Sequence, residues 1–135
     1  MLDAAKPYVL IIEDTEDIAV ILQITLSTSG FETRHAPNGT QALRIFGERR
    51  PDLILLDIGM PDMNGWQVLE AIKKQFPDAN MPVIVLTAFD DPANKLIGKL
   101  QHLVYRYLTK PFDPERLRTT AREAVGMASP DAGRS

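Results

Sequence analysis

Glu13, Asp14, Asp57, Thr87 and Lys110 are the residues of this chain whose types and placement could do chemistry together. Each follows a short apolar run. Tyr8–Ile12 closes on Glu13 and Asp14, Leu53–Leu56 on Asp57, Val83–Leu86 on Thr87, and a stretch to Leu108 on Thr109 and Lys110. A carboxylate leaving a buried run, as Asp57 does, is costly unless a charge meets it. Three neighbouring carboxylates also repel one another, which disfavours ionising all of them. A divalent cation relieves both costs. All-oxygen ligands without His or Cys favour a hard ion, magnesium foremost, which retains waters and keeps phosphate company. Lys110, held towards extended backbone by Pro111, adds a cation suited to a phosphate. Singly, these residues have plainer readings: Glu13 or Asp14 as a helix cap, Lys110 as a solvated surface lysine. The weight rests on their convergence.

Convergence requires particular elements. Runs apolar on both faces suit strands of a parallel sheet covered by helices on each side. Ligands of such open sheets sit at the carboxyl ends of the strands, and parallel strands place those ends on one edge. Helix-like and strand-like periods alternate along the chain. Ile18, Ile21, Leu22, Thr25 and Leu26 follow helical spacing and predict a buried face, with Ser29-Gly30 as the stop. Phe31–Ala36 reads as a less apolar strand. Asn38-Gly39 opens a second helix through Ala42, Leu43 and Phe46, which Pro51 ends. A turn-rich loop from Gly59 to Gly65 precedes a third helix carrying Val68, Leu69 and Ile72.

Pro82 begins the fourth strand, residues 91–101 read as a fourth helix, and Val104–Thr109 as the last strand. Asp113-Pro114-Glu115 starts a fifth helix, burying Leu117, Ala121, Ala124 and Val125. Strict alternation predicts an α/β doubly wound, five-stranded parallel sheet with helices on both faces and strand order 2-1-3-4-5.

The totals narrow the function classes. A chain of 135 residues fits one domain, and a net charge of -3 offers no basic field for nucleic acid. The absence of cysteine excludes disulfides and thiolate metal sites and suits a reducing cytoplasm. No apolar stretch approaches the roughly 20 residues of a membrane helix. The expectation is a soluble, cytoplasmic domain over residues 1–126 with a flexible tail over 127–135.

Taken in order, Glu13-Asp14, Asp57 with Met60-Pro61 and Gly65, Thr87-Ala88, and Lys110-Pro111-Phe112 resemble the receiver domain of two-component response regulators. The likeness covers roughly residues 7–126, and it is closest in kind to single-domain, chemotaxis-type receivers of flavodoxin-like fold. It implies that Asp57 is the phosphoacceptor, taking a phosphoryl group from a sensor histidine kinase or phosphotransfer protein. It further implies that Asp14 and Asp57 hold Mg2+, with Glu13 acting largely through water and the Gly59 backbone carbonyl completing the ligands. Thr87, Ala88 and Lys110 would bind the phosphoryl oxygens, and Thr87 with Tyr107 would form the switch. Tyr105 competes with Tyr107 for that role. The downstream partner would be an effector protein, with a homodimer through the fourth helix, last strand and last helix as a further arrangement.

Two features depart from the family pattern: Gln101–Arg106 replaces the usual Gly-Ala before the last strand, and the gap from Thr87 to Lys110 is one residue longer than usual. No output module follows Gly126, so a stand-alone switch is expected, not an enzyme. A magnesium-dependent phosphohydrolase using Asp57 as nucleophile is the alternative, weakened because Gly59 stands where a general acid would be needed. A non-phosphorylated interaction module of the same fold is the other. His35 and His102 read as isolated, and Met60, Met63, Trp66 and Phe112 as packing residues.

Overall fold

Tyr8–Ile12 forms β1 and Leu53–Asp57 forms β3, both buried at every position. They are neighbours in a sheet of order β2-β1-β3-β4-β5, completed by Glu32–Ala36 (β2), Val83–Ala88 (β4) and Val104–Lys110 (β5). All pairings are parallel, as the two-sided apolar runs predict. The computed structural model describes residues 6–59, 64–88 and 101–127. The expected fourth helix lies almost entirely outside them; only Gln101 of that span is described, opening a 3-10 turn to Leu103.

Helices cover both faces. Glu16–Ser27 (α1) and Pro114–Ala124 (α4) lie on one side, where Leu22, Leu26, Leu117 and Ala121 meet Val9, Ile11, Leu53, Leu55, Ile84 and Leu86. Gly39–Glu48 (α2) and Gly65–Gln75 (α3) lie on the other. There Ala42, Phe46, Val68, Leu69 and Ile72 meet Leu10, Ile12, Ile54, Leu56, Val83 and Val85. Successive residues of β1, β3 and β4 therefore feed opposite cores, as a period of two demands.

Local chemistry fixes the helix ends. Asn38 caps α2 by accepting from Gln41 N–H, and Asn64 with Gln67 forms a reciprocal capping box at α3. Asp113 accepts from Glu115 N–H ahead of Pro114 at α4. Gly30, at φ 97°, takes the left-handed conformation after α1.

One expected core position is corrected. Ile21 is 51% exposed, and it shares the solvent side with Val20 and Ile24, at 45% and 60%. The α1 core face is instead Ala19, Leu22, Thr25 and Leu26, with Ile18 packed beside it. Apolar residues lie almost all round α1, so helical spacing alone did not single out the packed face.

β5 is an edge strand. Its register slips between Val83 and Ile84, which face Val104 and Arg106, so Tyr105 is the extra residue of a bulge.

Candidate functional site

The acidic edge is built by β1 and β3 ending side by side. Glu13 immediately follows β1 and extends its ladder, donating its N–H to the Ala36 carbonyl at 3.1 Å. Asp57 is the last residue of β3, in register with Leu86 of β4. Ligand oxygens of Glu13, Asp14 and Asp57 lie within 4.8 Å of one another. Glu13 and Asp57 are buried, while Asp14 is half-buried at the mouth of the cluster.

These carboxylates are unevenly satisfied. Lys110 Nζ lies 2.9 Å from Asp57 Oδ1 and 3.9 Å from Glu13 Oε1. The Gly59 N–H donates to the same Asp57 oxygen at 2.9 Å. Glu13 Oε2 accepts from Thr15 N–H at 3.1 Å, but buried Oε1 has no hydrogen-bond donor. Burial, and then the neighbouring Asp57 carboxyl, push the Glu13 carboxyl up to about 8; Thr15 N–H and Lys110 act in the opposite direction. A buried carboxylate oxygen without a donor, facing a second carboxylate, is the electrostatic signature of a place for a cation. The set is all oxygen and fits a hard divalent ion.

Thr87 is buried near the end of β4, in register with Thr109, and Ala88 pairs with Lys110 at the same edge. The structure thus brings Glu13, Asp14, Asp57 and Lys110 together and sets Thr87 and Ala88 on the adjoining strand end. Gly59 contributes through its amide as described, beside Asp57.

The two tyrosines separate. Tyr107 pairs in register with Val85, and its ring centre lies 6.4 Å from that of Trp66, tilted by 60°. That is edge-to-face range. Tyr105 instead projects from the bulge, with the Arg106 guanidinium 5.4 Å from its ring centre. Trp66 and Phe112 are packing residues as expected, whereas Met60 and Met63 lie outside the described residues.

Two residues take a part that the sequence reading did not give them: Gly65, named there only as a turn residue and as a piece of the family-like pattern, and His35. Gly65 opens α3 directly against the end of β3: a Cβ there would stand 2.6 Å from the Asp57 carbonyl oxygen and 2.8 Å from Ile58 Cα. The signal was a glycine beside a helix cap. His35, read as isolated, places Nε2 2.6 Å from the Glu13 carbonyl oxygen. Its position one residue before the end of the strand beside β1 was the available clue.

A parallel sheet of order 2-1-3-4-5 with a carboxylate cluster and a paired lysine at its carboxyl edge places the chain among doubly wound α/β domains with their site at the strand ends. The sequence profile of the family described as "Response regulator receiver domain" matches residues 9–122. This chain belongs to that family. It is 38% identical over 120 residues to a probable transcriptional regulator, ycf27, of Guillardia theta, covering 89% of this chain and 46% of that protein. It is 36% identical over 121 residues to the DNA-binding response regulator MtrA of Mycobacterium bovis, covering 90% of this chain and 51% of MtrA. The chain spans about half the length of these curated relatives. Among solved structures, Vibrio cholerae chemotaxis protein CheY4 superposes with a TM-score of 0.79 at 32% identity, covering 89% of this chain and 99% of that one. The receiver domain of the Francisella response regulator 1452 gives 0.76 at 32% identity, with 89% and 97% covered. No helix among the described residues is long and apolar enough to cross a membrane.

Proposed function

We propose that this chain is a phosphorylation switch of a two-component system in the cytoplasm, with Asp57 as the phosphoacceptor. The observation that carries the reading is the Glu13–Asp14–Asp57 cluster with Lys110 paired to Asp57. A carboxylate oxygen of Asp57 attacks the phosphorus of a phosphohistidine on a sensor kinase or phosphotransfer protein. The P–N bond breaks, the imidazole nitrogen leaves with the electron pair, and an acyl phosphate forms on Asp57. Such transfer depends on positioning and neutralisation of charge.

Glu13, Asp14, Asp57 and the Gly59 carbonyl would hold Mg2+, Glu13 largely through water. When bound, the ion neutralises charge among carboxylates and phosphoryl oxygens. Lys110 supplies a fixed cation to a phosphoryl oxygen, and Thr87 and the Ala88 amide supply donors to the others. The chain is an acceptor and not a turnover enzyme: the second residue after Asp57 is Gly59, which offers no general acid.

The output is a changed protein-binding surface, read by an effector protein. Thr87, on forming its phosphoryl bond, would draw Tyr107 inward from its place beside Trp66. Reversing a 1:99 equilibrium to 99:1 needs about 5.5 kcal/mol, whereas one charge-assisted hydrogen bond contributes roughly 1.5–3 kcal/mol. Thr87 alone is therefore insufficient, and the Lys110 pair and the surrounding loops must add to it.

The test is intact mass after incubation with acetyl phosphate and Mg2+, for wild type and Asp57→Asn. The expected result is a gain of one phosphoryl group in the wild type alone. Equal gain in both proteins, or gain in neither, overturns the assignment.

A further inference from the structure

We infer that His35 is a positioning residue for the divalent-cation site, fixing the peptide group that joins Glu13 to Asp14. The inference rests on the metal reading above and adds to it a residue from a strand that supplies no ligand.

The β1–β2 ladder carries Glu13 N–H onto the Ala36 carbonyl at 3.1 Å. The next ladder donor to the Glu13 carbonyl would be the Asn38 N–H, two residues beyond Ala36, but the chain has by then turned through Pro37 to place Asn38 at the α2 cap. At this point the His35 imidazole takes over, with Nε2 2.6 Å from the Glu13 carbonyl oxygen. A carbonyl only accepts, so Nε2 carries the proton and donates. Both the imidazolium and the neutral ring protonated at Nε2 can do this, so the contact does not depend on ring charge.

The geometry gives this hydrogen bond its reach. The accepting carbonyl belongs to the planar peptide whose two Cα atoms are those of Glu13 and Asp14. Anchoring that plane constrains ψ of Glu13 and φ of Asp14, and so the directions in which both side chains leave the backbone. The Glu13 main chain is then held at its N–H by Ala36 and at its C=O by His35. Two consecutive carboxylates at a strand end would otherwise swing as that peptide rocks. Groups that orient metal ligands through such contacts are typically worth about 10–100-fold in metal affinity.

Isothermal titration with MgCl2 of the unphosphorylated protein tests this, comparing wild type, His35→Ala and His35→Gln, with metal-free thermal denaturation of each. Gln places an amide nitrogen as far from Cα as Nε2 and restores a donor. The expected result is Mg2+ binding weakened about tenfold in His35→Ala, largely recovered in His35→Gln, with metal-free melting little changed. A purely structural role would lower metal-free melting and leave Mg2+ affinity untouched. If His35→Ala fails to fold, His35→Phe keeps ring volume without the donor and takes its place. Wild-type affinity in the donor-free variant, or a loss that Gln does not recover, overturns the inference. Absence of Mg2+ uptake by the wild type overturns the metal reading itself, and this inference with it.

Discussion

Lys110 Nζ reaches Asp57 Oδ1 at 2.9 Å although the whole of β4 runs between their strands. The lysine stem extends over the strand ends and delivers its charge to a buried carboxylate that already accepts the Gly59 amide. One cation thus serves two acids, since Glu13 Oε1 lies 3.9 Å from the same ammonium.

Replacing Lys110 with Met should therefore leave Asp57 and Glu13 without their shared cation. Charge-assisted hydrogen bonds of this kind are worth roughly 1.5–3 kcal/mol, so metal-free stability to urea should fall by that order. Addition of Mg2+ should recover part of it. Acetyl phosphate should still label Asp57 while the downstream conformational response is lost. A variant as stable as wild type would show the pair to be idle.

The raised Glu13 carboxyl predicts a pH dependence. Its value of about 8 in the folded protein contrasts with about 4.3 in an unfolded chain. Between those values the folded state keeps a proton that the unfolded state has released. Stability of the metal-free protein therefore falls as pH rises through this window. Below it there is no penalty, and above it the penalty is complete. Melting temperatures of wild type relative to Glu13→Gln should decline across the window without metal and flatten with saturating Mg2+. A relative stability that rises with pH would contradict the burial of this carboxyl.

Gly65→Ala offers a steric test. Alanine in place of glycine normally favours a helix by about 1 kcal/mol. Here the new methyl meets the Asp57 carbonyl oxygen and Ile58 Cα, main-chain atoms that cannot step aside cheaply. Overpacking of that sort costs about 1–3 kcal/mol. The substitution should destabilise the protein by chemical denaturation and slow phosphorylation, because relief requires moving the backbone that carries Asp57.

The exposed Val20, Ile21 and Ile24 begin one turn into α1, which itself starts two residues after Asp14. If Asp57 is the phosphoacceptor proposed above, an apolar face at this end of α1 suits docking of the protein that delivers the phosphoryl group. Ile21→Lys with Ile24→Lys should leave stability within about 0.5 kcal/mol, as surface changes do. Transfer from the cognate phosphohistidine protein should slow at least tenfold, while labelling by acetyl phosphate proceeds normally. Equal slowing with both donors would place the effect at Asp57 and not at docking.

Much of this was legible in the residues because burial writes itself into composition. Runs such as Val9–Ile12 and Leu53–Leu56 are apolar on both faces and announce central parallel strands. The carboxylates that interrupt them mark the edge where the sheet ends. The α1 surface was misread at Ile21 because a helix apolar nearly all round carries no periodic signal for its inner side. The different settings of Tyr105 and Tyr107 follow from the bulge, which depends on pairing with β4. His35 stayed hidden for a similar reason: its partner lies on a different strand, and only the Ile11–His35 register brings them together.

Because every strand runs the same way, the molecule has a chemical rim and an inert one. The turns at 28–31, 49–52 and 76–82 all lie at the amino ends of strands, opposite Asp57. A dye or tether fixed at solvent-exposed Asp78, on that far rim, would label or immobilise the protein while sparing the carboxylate edge.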